Sequence, residues 1–83
     1  MRDFIINNLI DVRNNKKKNF DYQYKCDDGD IISMNGTIKY GKANFIIERI
    51  KTNGHKCSAV PVYQMLLTDN MIVKIAEIAV EAL

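Results

Sequence analysis

Three dipeptides restrict what this chain can become more than any other feature. Asp28-Gly29, Gly41-Lys42 and Asn53-Gly54 stand at nearly even intervals, and each is a tight-turn signal. Segments of strand length lie between them, and short turns join antiparallel neighbours. A chain punctuated in this way is expected to run as an antiparallel meander.

The segments between the turns carry the matching two-residue period. Phe20, Tyr22, Tyr24 and Cys26 alternate with Asp21, Gln23 and Lys25, which describes a half-buried strand. After Asp28-Gly29, read as a two-residue hairpin turn, Ile32, Met34, Ile38 and Tyr40 alternate with Ser33, Asn35, Thr37 and Lys39. Gly36 inside this run suggests a bulge. Gly41-Lys42 suits a type II′ turn, with Gly at the first central position. Ala43 to Lys51 forms a third strand, and its Phe45-Ile46-Ile47 run suits a central strand covered on two sides. His55 to Val62 makes a fourth, which Pro61 assigns to an edge because it lacks a backbone donor.

Helices flank the strands. Ile5, Ile6, Leu9, Ile10 and Arg13 follow helical spacing within a segment from Asp3 to Asn14, with Asp3 as the N-cap. A second helix runs from Asp69 to Leu83, with Thr68 or Asp69 as its cap. The expected fold is therefore α+β, one domain over residues 1–83, in the order α-β-β-β-β-α with both helices on one face. An α-β-β-β-α order, with residues 58–68 in a longer helix or loop, is the alternative. That order resembles double-stranded-RNA-binding domains. The basic motif that those domains carry at the start of the last helix is missing, Thr68, Asp69 and Asn70 standing there, so the likeness is one of element order alone and the chain is not assigned to that family.

Length and charge exclude several function classes. With 83 residues there is little room for an enclosed substrate pocket, and stability is thin. A net charge of +2 gives no strong global attraction to nucleic acid or to an anionic membrane, so any electrostatic role is local. Met71 to Leu83 is too short to span a bilayer and is broken by Lys74, Glu77 and Glu81. The opening residues lack the uninterrupted apolar run of a signal peptide. Together with only two cysteines, this leads to the expectation of a cytoplasmic protein with reduced thiols. Heavy use of Ile, Asn and Lys suggests an AT-rich genome of bacterial or phage origin.

A meander sorts charge by end. Lys16, Lys17, Lys18, Lys39 and Lys42 gather at one end of the strands, and Asp27, Asp28 and Asp30 at the other, near His55 and Cys57. The lysine end is the candidate contact for an anion or nucleic acid, although short basic runs are usually solvated helix termini. Arginine is scarce, which weighs against specific base readout. Tyr22, Tyr24 and Tyr40 could offer rings to bases on an uncovered sheet. The first two share a face with Phe20 and Cys26, which points to core packing instead.

Catalytic and metal chemistry find little support. Cys26, Asp27, Asp28, His55 and Cys57 are the metal-ligating types, but the first and fourth strands of a flat meander lie roughly 14 Å apart. That separation exceeds any zinc bond or disulfide span. Asp27-Asp28-Gly29-Asp30 lacks the ligand spacing of a calcium loop. No phosphate or dinucleotide fingerprint is present. His55 has only Cys57 as a thiol neighbour and no orienting group. The reading is of a non-enzyme with no cofactor and no metal.

The last helix is apolar nearly all round, with a narrow polar stripe of Asn70, Lys74, Glu77 and Glu81. This predicts an uncovered apolar surface and a homodimer or protein partner, met through Ile72, Ile75, Ala76, Ala79, Ala82 and Leu83. The leading functional expectation is a small binding or inhibitor protein, a phage or bacterial regulator that occludes a host enzyme or defence component. The alternative is a nucleic-acid-binding module that uses the lysine-rich end.

Overall fold

A computed structural model describes residues 1–15 and 17–83. The elements run α1 (Arg2–Asn15), β1 (Asn19–Lys25), β2 (Ile31–Lys39), β3 (Lys42–Ile50), β4 (Lys56–Leu66) and α2 (Asp69–Ala82). The four strands form one antiparallel sheet in the order β1-β2-β3-β4, so the α-β-β-β-β-α order holds and the three-strand alternative falls away. Asp3 lies in the first turn of α1 and is not its cap. Thr68 does cap α2: its hydroxyl accepts from the Met71 amide at 3.2 Å.

Alternation decides which face the helices cover. Phe20 on β1, Ile32, Met34 and Ile38 on β2, Ala43, Phe45 and Ile47 on β3 and Val62 on β4 are buried. They meet Ile5, Leu9 and Val12 of α1 and Ile72, Ile75, Ala76 and Ala79 of α2 in a single core. Their neighbours in sequence point the other way and stay exposed or half-buried, so both helices occupy one face and the other is uncovered. Ile46 corrects the expectation that β3 is covered on two sides. It lies on the uncovered face and is half-buried beside its register partners Asn35 and Pro61.

Gly36 is not a bulge, since the ladders on both sides of it run without a register shift. It pairs with Phe20 on one side and Phe45 on the other, and the two rings meet edge to face with centroids 5.7 Å apart. A Cβ at Gly36 would press into the Phe45 Cβ and the Asn44 carbonyl. The glycine thus provides the space in which two aromatic side chains join across a missing third.

The irregularities sit in β4 instead. Its register with β3 shifts between Ala43 and Asn44 and again between Arg49 and Ile50, which leaves Gln64 and Cys57 unmatched. Gln64 takes φ 51°, the left-handed conformation of a bulge residue. Two bulges and Pro61 are the usual devices that keep an edge strand from pairing with another chain, and β4 is an edge strand.

The turns differ from expectation in type. Asp27-Asp28-Gly29 is a three-residue loop, closed by the Cys26 amide donating to the Asp30 carbonyl at 2.8 Å. Thr52-Asn53-Gly54 repeats it, with the Lys51 amide donating to the His55 carbonyl at 2.8 Å. Gly29 and Gly54 take φ 92° and 88°, as the last position of such loops requires. The middle turn has Lys39 opposite Lys42, so its central residues are Tyr40 and Gly41, not Gly41 and Lys42. Their φ values of 54° and 75° make it type I′ rather than type II′.

Candidate nucleic-acid interface

The end of the sheet where α1 leaves and the β2–β3 turn returns carries Arg13, Lys17, Lys18, Lys39 and Lys42, while Lys25, Arg49, Lys51 and Lys56 lie at the opposite end. The Lys18 carbonyl accepts from the Ile38 amide at 2.9 Å, and the Gly41 carbonyl accepts from the Leu67 amide at 3.1 Å. These bonds join the α1–β1 link, the hairpin tip and the entry to α2. Between them lies a hollow lined by Arg13, Lys18, Ile38, Lys39, Tyr40 and Gly41.

The cations at this end are not equivalent. Arg13 donates to the Leu67 carbonyl at 2.9 Å and to Asp69 Oδ1 at 2.7 Å, so its charge is already matched. Lys17 sits 3.6 Å from Asp11 Oδ2 and close to the Tyr22 ring. The Tyr22 hydroxyl, and after it the Asp11 carboxylate, push the Lys17 ammonium above its ordinary value. Lys18, Lys39 and Lys42 are exposed and enter no ion pair among the described residues. The predicted contact at Lys16 lies outside the described residues.

Aromatic surface accompanies the free lysines. Tyr40 is 89% exposed at the hairpin tip, and the Lys39 ammonium stands 5.6 Å from its ring centroid. Tyr63 is 67% exposed on the uncovered face, in one cross-strand row with Asn44, Thr37 and Asn19. The adjacent row holds Lys39, Lys42 and Leu66. Tyr22 and Tyr24 lie on the helix-covered side instead. Tyr22 packs against the core, 5.8 Å from the Phe20 ring, while Tyr24 lies 5.4 Å from the Phe4 ring and stays 37% exposed. Tyr63 has no counterpart in the sequence reading. The fourth strand was expected to stop at Val62, and only the Gln64 bulge carries it on to Leu66.

At the acidic end Asp28 and Asp30 are paired with Arg49, and Asp30 also lies 3.8 Å from the Lys51 ammonium. Arg49 Nε lies 2.8 Å from Asp30 Oδ2 and its Nη2 lies 2.8 Å from Asp28 Oδ2. Its Nη1 donates to the Leu83 carbonyl at 3.1 Å, past the last turn of α2. The Asp30 amide donates to Asp28 Oδ1, and this bond first, with Arg49 adding to it, holds the Asp28 carboxyl below its ordinary value. The Asp30 contact in turn raises Arg49. Arg49 follows Ala43, Phe45 and Ile47 on the helix-facing side of β3, and that placement was the available signal for its role.

The remaining candidates are dispersed. Cys26 follows β1, and Cys57 lies at a β4 bulge with β2 and β3 between them. Cys57 Sγ lies 3.5 Å from the Arg49 carbonyl, in position to donate to it. His55 lies in the loop before β4, not on a strand face with Cys57, and its amide donates to Asn53 Oδ1. Among the described residues no His, Cys, Asp and Glu cluster is arranged to hold a metal, and no helix is long and apolar enough to cross a membrane.

The expected partner surface on α2 needs correction. Ile72, Ile75, Ala76 and Ala79 are 0–3% exposed, because α2 turns them into the chain's own core. Ala82 is exposed and Leu83 half-buried. The large apolar residues that α2 does leave at the surface are Ile78 and Val80. Comparison with protein-family models, with curated proteins and with solved structures finds no match.

Proposed function

We propose that this chain is a non-enzymatic binding module that takes single-stranded nucleic acid on the lysine end of its uncovered sheet face. One observation carries the reading: the two most exposed aromatics, Tyr40 and Tyr63, share that end with the unpaired Lys39 and Lys42. Single strands are held by the combination of rings that stack on bases and cations that follow the backbone. Asn44, Thr37 and Asn35 on the same face supply hydrogen-bonding side chains without net charge. A duplex offers no free base faces, so it is the poorer ligand here.

The magnitudes set what to measure. Three free lysines give a salt slope of about −2 on logarithmic axes, at about −0.7 per phosphate of a single strand. Labelled single- and double-stranded oligonucleotides titrated at low and high salt test this. Weak, salt-sensitive binding with a preference for single strands is expected. Tyr63→Ala and Tyr40→Ala each lower affinity by about tenfold, which corresponds to the loss of one stacked base. Absence of binding at low salt, or affinity indifferent to both tyrosines, overturns the reading.

A second reading, occlusion of a partner protein of bacterial or host origin, is supported by Ile78 and Val80, which stand exposed on α2. It draws on a different side of the molecule. Oligonucleotide binding that survives Ile78→Glu and Val80→Glu but not Tyr63→Ala separates the two.

A further inference from the structure

The outer flank of α2 is self-complementary, and we infer that a second copy of this chain packs on it, antiparallel, about a two-fold axis next to Ile78. Met71, Lys74, Ile78, Glu81 and Ala82 fall within about 100° of one another around a helix of 3.6 residues per turn. Met71, Lys74 and Ile78 of this flank border β4, and the Arg2–Glu77 pair, at 3.9 Å, ties α1 to the helix about 40° beyond Glu81, at the flank's other margin. Ile78 is 46% exposed at its centre. Lys74 and Glu81 are both exposed, and neither enters an ion pair among the described residues.

An isologous interface requires each residue to meet its complement on the same patch. Antiparallel pairing about a point between Glu77 and Ile78 satisfies this at three levels. Lys74 of each copy faces Glu81 of the other. The two Ile78 side chains lie together across the axis. The long, adaptable Met71 comes over the small Ala82. Beside the helix lies an apolar groove lined by Val60, Pro61, Met65, Met71 and Ile78, which accepts the opposing Ile78. The charge pattern selects antiparallel over parallel packing, because parallel helices would set Lys74 against Lys74 and Glu81 against Glu81.

The consequence is independent of the nucleic-acid reading. The dimer forms on the helix side, so the one uncovered sheet face of each copy stays free. The two Tyr40 tips, which adjoin the N-terminal ends of the α2 helices, point to opposite ends of the assembly.

Sedimentation equilibrium of the full chain, with circular dichroism to confirm folding, tests the inference. The natural sequence is expected to dimerise, and Ile78→Glu to be a folded monomer. Lys74→Glu and Glu81→Lys each weaken self-association by at least about tenfold, since each sets like charges together twice. The two single variants mixed in equal amounts form a heterodimer, because every facing pair then has opposite signs, and the double variant K74E/E81K dimerises again. A chain that stays monomeric up to millimolar concentration overturns the inference. So does a dimer that ignores Ile78→Glu and the charge exchanges.

Discussion

Tyr40 is the residue whose conformation and surroundings disagree most. A bulky side chain at φ 54° is held in the left-handed region that Asn and Gly occupy with little penalty. Exposed at the tip, it gains no burial to offset that strain. A fold selected for stability alone would place Asn-Gly here, the preferred type I′ pair. Tyr40→Asn is therefore expected to raise stability by about 1 kcal/mol and to weaken oligonucleotide binding, while Tyr40→Phe keeps the ring and the affinity. Thermal melting shows the first effect as a rise of about 4–8 °C. A Tyr40→Asn chain no more stable than the natural one removes the strain argument. Gly36 is the opposite case, a small residue required by its neighbours. Gly36→Ala drives a methyl into Phe45 and the Asn44 carbonyl, forces two strands apart, and is expected to cost about 3 kcal/mol, read as a fall in the urea midpoint.

At the scale of elements, periodic pattern was readable and its exceptions were not. Both helices, all four strands and the edge position of the Pro61 strand follow from spacing and from one missing donor. The bulges of β4 do not, because nothing in Cys57 or Gln64 marks a register shift. That shift comes from fitting an eleven-residue strand to a nine-residue neighbour. Losing the Gln64 bulge also hid Tyr63 and with it half of the aromatic surface at the candidate site. The lysine end was legible because the meander alone fixes which turns share an end. The division of its cations into matched and free was not, because Asp11 and Asp69 approach Lys17 and Arg13 only in three dimensions. The same limit misled the reading of α2. Its polar stripe is narrow, yet α1 and β4 cover the side that carries Ile72, Ile75, Ala76 and Ala79, while Ile78 and Val80 stay exposed on either side of the stripe. The element's own determinants still behave as expected. Thr68→Ala removes the only side-chain acceptor for the first free amides of α2 among the described residues and should cost about 1 kcal/mol by urea denaturation.

At the scale of the whole molecule, the two ends of the sheet differ in how their charges are matched, and the acidic end carries a carboxylate that ties stability to pH. Arg49 joins the Asp27-Asp28-Gly29 loop to the C-terminal end of α2, so the first hairpin and the last helix share one electrostatic anchor. Asp28 is the group that makes this anchor sensitive to pH. Its folded carboxyl lies below its ordinary value of 3.8, first through the Asp30 amide and then through Arg49. A carboxyl depressed by folding stabilises the native state fully above the unfolded value, and that contribution disappears as pH falls through the lower folded value. Above the carboxylate range Asp28 is charged in both states and the full contribution is present. In acid, both states are protonated and none remains. The urea midpoint of the natural chain should therefore fall through this window. Asp28→Asn should lie below it at neutral pH, fall less steeply, and meet it at the acid extreme. Arg49→Met should remove part of the same acid limb. It should also be more destabilising at neutral pH than Arg13→Met, because Arg49 serves Asp30, which is 5% exposed, whereas Arg13 serves Asp69, whose side chain is 87% exposed. Midpoints of the Asp28→Asn and natural chains that run parallel down to the acid extreme would show that the loop and the helix are not held together through this carboxylate.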